Sequence, residues 1–187
     1  RSFHPAMRHV GPVRAQLGVP TVFNFLGPLS HPARVQRQVI GVSDPRILPI
    51  AVGVLQQRGA PRAMVVTGDD GMDEFTITTT STVHQLRDGI VTTSRFDPRD
   101  VGIDLAGPDA IAGGTPEENA AIARRVFDGV KGPHRDIVVV NAAAGLLVAG
   151  IVDEMAEGVV RAQESIDSGA ASGVLERLIS VANDVTN

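Results

Sequence analysis

The residues of this sequence best suited to chemistry lie in an acidic turn at residues 69–74. Asp69, Asp70, Asp73 and Glu74 crowd their carboxylates into one short segment. Such groups repel one another and raise each other's pKa unless a cation lies among them. Mg²⁺ fits this need because it takes oxygen ligands, often only one or two carboxylates, and completes its shell with water and substrate phosphates. The alternative is a solvated polar turn.

Arg14 is the second candidate, as an anion-binding residue. If residues 6–18 form a helix, one face carries residues at steps of three and four: Met7, Val10, Arg14 and Leu17. This arrangement would hold the guanidinium against apolar neighbours, where it would pair with a carboxylate or a phosphate. Pro12 opposes the helix or shifts its start, because an internal proline removes a hydrogen bond. The alternative is that the aliphatic part of the Arg14 side chain packs along the surface while its guanidinium group stays solvated.

Two further segments near the N-terminus are candidates for ligand contact. His4 precedes Pro5, which favours an extended backbone and lets the ring project over the start of the next helix. A lone histidine is more often a structural donor than a catalyst, and the nearby sequence offers no nucleophile for it to activate. Gly27 and Pro28 predict a tight turn, at which a flat ligand can approach the backbone closely.

Composition limits the class of protein. The 187 residues fit one domain, which can bury about 70% of the surface of its unfolded chain. The absence of cysteine excludes disulfides and thiolate chemistry and favours the cytoplasm. A net charge of −4, with both signs interspersed, predicts no binding to nucleic acid or to an anionic membrane surface. The most apolar run, residues 137–152, is interrupted by Asn141, is too short for a membrane helix and belongs in a core.

The pattern of apolar and turn residues predicts an α/β fold, with helices packed on a mixed sheet. Strands are predicted at residues 38–42, 63–67 and 75–82, and in a hairpin at 83–86 and 90–93 around Asp88-Gly89. Helices are predicted at residues 45–57, 115–129 and 152–168, and around 174–178. Asp44 and the capping box of Thr115 and Glu118 mark two helix starts. Gly113 and Gly114 suggest a phosphate cradle, but the glutamates that follow would repel a phosphate, so capping explains the segment.

Several segments together resemble the anthranilate phosphoribosyltransferase family, in consistent order over nearly the whole chain. Each segment alone is weak evidence for the family, whereas the combination is specific. The segments are His4-Pro5-Ala6-Met7, Val13-Arg14 with Leu17-Gly18, Asn24-Phe25-Leu26-Gly27-Pro28-Leu29, Gly71-Met72-Asp73-Glu74, Gly113-Gly114, Glu118-Asn119-Ala120 and Asn141-Ala142-Ala143.

The resemblance implies a reaction and a metal. The family joins anthranilate to phosphoribosyl pyrophosphate and releases pyrophosphate with magnesium bound, in the synthesis of tryptophan. By that resemblance, Asp73 and Glu74 hold a Mg²⁺ ion that binds the pyrophosphate group. No residue is assigned as a nucleophile or as a proton carrier.

The resemblance also implies how anthranilate is bound. Arg14 would pair with the anthranilate carboxylate. Gly27 and Pro28 would line the pocket of the aromatic acid, and His4 and Pro5 would flank the channel that leads to it. These are the expected substrate-binding residues.

The same resemblance implies that residues 1–187 are the C-terminal portion of the large α/β catalytic domain. The family's Gly-Thr-Gly-Gly-Asp loop, its Lys-His-Gly-Asn segment and the small N-terminal helical domain through which it forms a homodimer lie upstream of the matching region. This chain alone is therefore expected to be incomplete and inactive, with an exposed apolar edge where the other part docks. His31 stands where the family usually has asparagine before proline.

Two other functions compete with this interpretation. A pyrimidine nucleoside phosphorylase has a similar architecture, but its ligand is a neutral base that offers no carboxylate to Arg14. A non-catalytic interaction module would retain the fold without binding magnesium and pyrophosphate.

Overall fold

The computed structural model describes residues 7–19, 23–31, 33 and 35–184. Its strands are β1 (Arg37–Gly41), β2 (Arg62–Gly68), β3 (Ser81–Arg87) and β4 (Ile90–Phe96). Its helices are α1 (Met7–Leu17), α2 (Phe23–Leu29), α3 (Leu48–Gln57), α4 (Pro116–Phe127), α5 (Pro133–Ala149), α6 (Met155–Asp167) and α7 (Ala170–Asp184). Single turns of 3-10 helix lie at Pro45–Ile47, Pro98–Val101 and Pro108–Ile111.

The strands form one mixed sheet in the order β1-β2-β3-β4. β1 and β2 are parallel and are connected through α3, whereas β2, β3 and β4 are antiparallel neighbours. The register places Val39, Met64, Gln85 and Thr92 side by side across the sheet. The predicted α/β class with a mixed sheet is confirmed.

Each face of the sheet packs against its own apolar core. Ile40, Ala63 and Val65 point to the side of α3, while Met64 and Val66 point to the side of α5 and α6. All five residues are buried. Because β2 is covered on both faces, its sequence is a continuous apolar run rather than an alternating one.

Local sequence signals predicted the best-defined turns and caps. Asp88 and Gly89 connect β3 to β4 with φ angles of 51° and 82°, the positive values that a type I′ hairpin turn needs. At the start of α4, the Thr115 N–H donates to Glu118 Oε2 at 2.7 Å and the Glu118 N–H donates to Thr115 Oγ1 at 3.3 Å. Asp44 caps the turn before α3. These predictions are confirmed.

The apolar run at residues 137–152 forms most of α5, and Val139, Val140, Ala143 and Ala144 are fully buried. The prediction that this run belongs in a core is confirmed. Among the described residues, no helix combines the length and the apolar character that crossing a bilayer requires.

Two prolines lie inside helices, where the sequence suggested a boundary or a turn. Pro12 is internal to α1, which begins before it at Met7. Gly27 and Pro28 belong to α2, so the predicted tight turn is wrong. Because proline is compatible with a helical φ, Pro28 near the end of a short helix removes only one hydrogen bond. The helix is closed by Ser30, whose N–H donates to the Leu26 carbonyl at 2.8 Å.

Candidate functional site

The acidic turn follows β2 directly, at the carboxyl end of the strand. The Gly68 N–H donates to the Met72 carbonyl at 2.8 Å, and the Gly71 N–H donates to the Gly68 carbonyl at 2.9 Å. Gly71 has a φ of 91°, which favours glycine at this position. The backbone of the turn is therefore closed on itself.

Asp70 is an internal anchor of the turn. Its carboxylate accepts hydrogen bonds from the Met72 N–H at 3.1 Å, from Thr76 Oγ1 at 2.6 Å and from Thr78 Oγ1. Partial burial by itself raises the pKa of Asp70, but the hydrogen bonds to the charged form outweigh it, and the net shift is downward. Asp70 is thus an ionised carboxylate that holds the loop.

Asp69 is paired with an arginine. Its carboxylate accepts from Arg95 Nη2 at 2.6 Å, from Thr82 Oγ1 at 3.2 Å and from Thr80 Oγ1. The expectation that all four carboxylates repel one another until a cation binds is therefore too broad. The protein itself satisfies Asp69 and Asp70.

The same threonines explain why the predicted strand at residues 75–82 is wrong over most of its length. The ladder begins only at Ser81, whose Oγ accepts from the Thr76 N–H at 3.1 Å. Hydroxyl side chains that bond to nearby carboxylates and backbone groups compete with strand pairing. The threonine-rich alternation therefore forms a hydrogen-bonded loop.

Asp73 and Glu74 are the remaining carboxylates of the turn. Among the described residues, neither side chain has a hydrogen bond or an ion pair. Asp73 is exposed and Glu74 is half-buried. Burial, and then the charges of Asp73 and Asp70, raise the pKa of Glu74 above its ordinary value. Uncompensated negative charge is thus concentrated on this pair.

This donor set fits Mg²⁺. Within residues 7–19, 23–31, 33 and 35–184, no cluster of three or more acidic or histidine side chains is arranged to hold a metal ion. Mg²⁺ commonly takes only one or two carboxylates from a protein and obtains its other ligands from water and phosphate oxygens. Two adjacent oxygen donors with excess negative charge suit that coordination.

The predicted anthranilate-binding residues are placed only in part. His4 and Pro5 lie outside the described residues. Arg14 lies in the second half of α1, and Gly27 and Pro28 lie together on α2. α2 contacts α3, and Arg58, the residue that follows α3, donates to the carbonyl of Leu29. The roles of these five residues stay predictions.

His31 performs a local role that an asparagine can also perform. Its Nδ1 accepts a hydrogen bond from the Ala33 N–H at 3.2 Å. An asparagine side chain accepts from the backbone two residues further on in the same way, in an Asx turn. The departure from the family pattern at this position therefore preserves the turn.

Two residues that support the turn had no role predicted from the sequence. A Cβ added to Gly41, at the end of β1, would overlap the backbone carbonyl of Asp73. The amide of Asn141 on α5 bonds to the backbone of Phe75. The available signals were a glycine at a strand end and a single polar residue inside the apolar run of α5.

We predict that Gly41→Ala displaces the turn. The new methyl group meets a backbone atom that cannot rotate away, so we expect a loss of about 1–3 kcal/mol in the free energy of unfolding. The matched control is Gly53→Ala in α3, where an added Cβ meets nothing within 4 Å, and a gain of about 0.5–1 kcal/mol is expected. Chemical denaturation measures both. Equal stability of the two variants would contradict the close packing of Gly41 on Asp73.

We also predict that Glu74→Gln stabilises the metal-free fold. Because the pKa of Glu74 is raised in the folded state, stability is greatest below the ordinary pKa of 4.5 and falls as the pH rises through the raised value. Solvent screening keeps this effect below about 1 kcal/mol, so removal of the charge should raise the melting temperature at pH 7 by about 1–2 °C.

The control for this prediction is Glu117→Gln, an exposed glutamate in the first turn of α4. Its charge is favourable at a helix N-terminus, so this substitution should lower the melting temperature slightly. Thermal melts at pH 4 and pH 7 in a chelator measure both variants. A Glu74→Gln variant that melts below the wild type at pH 7 would refute the prediction.

The fold and the acidic turn define this protein as an α/β domain with a candidate magnesium site. The chain belongs to the glycosyl transferase family, a/b domain, whose family model matches residues 1–172. It is 49% identical over 186 residues to the anthranilate phosphoribosyltransferase of Streptomyces avermitilis, and the match covers 97% of this chain and 52% of that protein. The chain spans about half the length of the curated relatives it matches.

Solved structures agree with the sequence matches. Anthranilate phosphoribosyltransferase from Thermus thermophilus superposes with a TM-score of 0.87 at 44% identity, over 95% of this chain and 52% of that one. The Saccharomyces cerevisiae enzyme in complex with PRPP and Mg gives 0.86 at 30% identity, over 97% and 52%. Its complex with 4-fluoroanthranilate gives 0.87 at 29% identity, over 97% and 53%. The predicted resemblance is confirmed.

Proposed function

We propose that this chain contributes to an anthranilate phosphoribosyltransferase, which transfers a phosphoribosyl group from phosphoribosyl pyrophosphate to the amine of anthranilate in tryptophan biosynthesis. The observation that carries the proposal is the pair of carboxylates, Asp73 and Glu74, which have no partner within the part of the chain that the structure describes, in a fold that superposes on an enzyme solved with PRPP and Mg. The pair suits a Mg²⁺ ion that also binds a pyrophosphate group.

The residues of this chain act by positioning rather than by moving protons. Asp73 and Glu74 hold the metal. Arg14 orients the anthranilate carboxylate, so that the amine nitrogen approaches the ribose carbon as the bond to pyrophosphate breaks. Gly27 and Pro28 line the pocket, and His4 and Pro5 flank the channel. A Mg²⁺ ion held by this pair would supply electrostatic stabilisation of the negative charge on the pyrophosphate leaving group.

We also propose that the chain is the C-terminal portion of the large α/β domain and is inactive alone. The matched relatives are about twice as long, which supports this proposal. Apolar surface that a further segment can cover is present on α7, where Val174, Leu178 and Val181 are more than half exposed. We expect the intact enzyme to be a cytoplasmic homodimer, formed through the N-terminal helical domain.

A pyrimidine nucleoside phosphorylase and a non-catalytic module are the alternatives. The relatives named above favour the phosphoribosyltransferase, and the carboxylate pair gives no reason to favour an idle module. A direct test uses the intact protein that contains this chain. Pyrophosphate release should require phosphoribosyl pyrophosphate, anthranilate and Mg²⁺ together. Phosphorolysis of a pyrimidine nucleoside, or the absence of any release, would contradict the proposal.

A further inference from the structure

The amide of Asn141 forms two hydrogen bonds with the backbone of Phe75, the residue that follows Glu74. Asn141 Oδ1 accepts from the Phe75 N–H at 3.0 Å, and Nδ2 donates to the Phe75 carbonyl at 2.9 Å and to the Ile137 carbonyl at 3.0 Å. The network uses both amide donors and the amide oxygen, which fixes the orientation of the amide. A side chain of α5 thus takes the place that a neighbouring strand would take beside Phe75.

Phe75 is also fixed through its ring. The ring is buried and meets Phe96 edge to face, with centroids 5.2 Å apart and an interplanar angle of 90°. Because the peptide bond is planar, fixing the N–H of Phe75 also fixes the plane that contains the Cα of Glu74. Asn141 therefore fixes one of the two peptide planes that meet at the Cα of Glu74 and that together set the direction of its side chain.

The opposite side of the turn is backed by β1. The carbonyl of Asp73 lies against Gly41 so closely that a Cβ has no room there. The segment from Asp73 to Phe75 is thus held between the end of β1 and the middle of α5. A binding pair needs such support, because its oxygens must keep their positions to within about 0.5 Å.

We propose that Asn141 is a positioning residue for the magnesium-binding pair of Asp73 and Glu74. The inference rests on the proposed function, in which that pair binds the metal. An amide is the suitable group, because it satisfies a backbone donor and a backbone acceptor without adding charge. An aspartate would lose both hydrogen bonds that Nδ2 donates, and it would place a negative charge beside the carbonyls of Phe75 and Ile137.

The chain offers a matched control in Asn119 on α4. Its amide forms the same pair of hydrogen bonds with the backbone of a different residue. The Gly114 N–H donates to Oδ1 at 2.8 Å, and Nδ2 donates to the Gly114 carbonyl at 3.1 Å. Asn119→Ala removes an equivalent pair of hydrogen bonds away from the turn. Any difference in metal binding between the two alanine variants is therefore due to the place of Asn141 beside the turn, and not to the loss of a pair of hydrogen bonds as such.

The test measures binding of Mn²⁺, as a spectroscopic substitute for Mg²⁺, in the intact enzyme with pyrophosphate present. The electron paramagnetic resonance signal of free Mn²⁺, corrected for the Mn²⁺ that pyrophosphate binds in a protein-free sample, gives the dissociation constant. Asn141→Ala should raise it by about tenfold or more, while Asn119→Ala leaves it at the wild-type value. The Mg²⁺ concentration for half-maximal activity should rise in parallel, with no change in KM for anthranilate. Asn141→Ser, which replaces the amide with a smaller polar hydroxyl, should give an intermediate value and serves if the alanine variant does not fold.

Two outcomes separate this inference from the proposed function. If Asn141→Ala and Asn141→Ser bind Mn²⁺ as the wild type does, while Glu74→Gln binds weakly, Asn141 is only a structural residue and the inference is wrong. If Glu74→Gln itself binds Mn²⁺ as the wild type does, the metal site is misassigned, and both the inference and that part of the proposed function fail.

Discussion

Asp73→Asn is expected to lower kcat of the intact enzyme by about 100-fold and to raise the Mg²⁺ concentration needed for half-maximal activity. Asp73 and Glu74 are the carboxylates of the turn that have no partner among the described residues, so each carries charge available to a cation. An uncharged amide at position 73 removes one charged oxygen donor. The loss of one electrostatic group that acts on developing charge typically costs about 10²–10³ in kcat.

The measurement is initial-rate kinetics over a Mg²⁺ titration, at saturating anthranilate and phosphoribosyl pyrophosphate. Asp109→Asn, which removes an exposed carboxylate from the 3-10 turn at Pro108–Ile111, serves as the control and should leave both quantities unchanged. KM for anthranilate should also be unchanged in Asp73→Asn, because we propose that the aromatic acid binds at Arg14 and α2 and not at the metal-binding pair. A variant with the kcat and Mg²⁺ dependence of the wild type would remove Asp73 from the proposed site.

The parts of the fold that could be predicted from sequence are those set by local chemistry. The Asp88-Gly89 turn requires positive φ at both positions, and few residue pairs supply it. The capping box of Thr115 and Glu118 needs only residues three apart. Such signals act within a few residues, so one sequence contains all the information they need.

The strand predicted at residues 75–82 is wrong over most of its length because hydrogen bonds to the closed acidic turn, rather than strand pairing, decide the structure there. Alternating threonines suit a half-exposed strand as well as a loop whose hydroxyls bond to carboxylates. Asp70 lies close in sequence to Thr76 and Thr78, but only the closed turn brings its oxygens within reach of both hydroxyls. Periodicity alone cannot distinguish these two uses of the same residues.

In the candidate site, too, local sequence signals were predictable and contacts made by packing were not. The acidic character of residues 69–74 was visible in the sequence, whereas the separate roles of its carboxylates were not. Arg95, which neutralises Asp69, lies 26 residues away, and Asn141 lies 66 residues from Phe75. These partners meet only because the hairpin and α5 pack beside the end of β2. Composition can identify the turn, but packing decides which carboxylates are free.

Arg14→Ala is expected to weaken anthranilate recognition by about 2–5 kcal/mol, which corresponds to an increase in KM of about 30-fold to several thousand-fold. The range assumes a desolvated charge pair between the guanidinium and the anthranilate carboxylate. Arg14→Lys should recover only part of this loss, because an ammonium group cannot form the bidentate geometry. Arg8→Ala is the control on the same helix, since Arg8 is exposed and its Nε donates to His9 Nε2 at 3.0 Å. It should leave KM unchanged.

A neutral analogue of the substrate isolates the charge itself. With 2-aminobenzamide, in which an amide replaces the carboxylate, the wild type should lose most of its kcat/KM, because the Arg14 guanidinium is left without an anionic partner. Arg14→Ala should accept the two compounds almost equally, since specificity is a difference between two binding free energies. If the variant still prefers anthranilate as strongly as the wild type does, a cationic group other than Arg14 binds the carboxylate. A wild type that does not distinguish the two compounds would instead favour an enzyme for a neutral base.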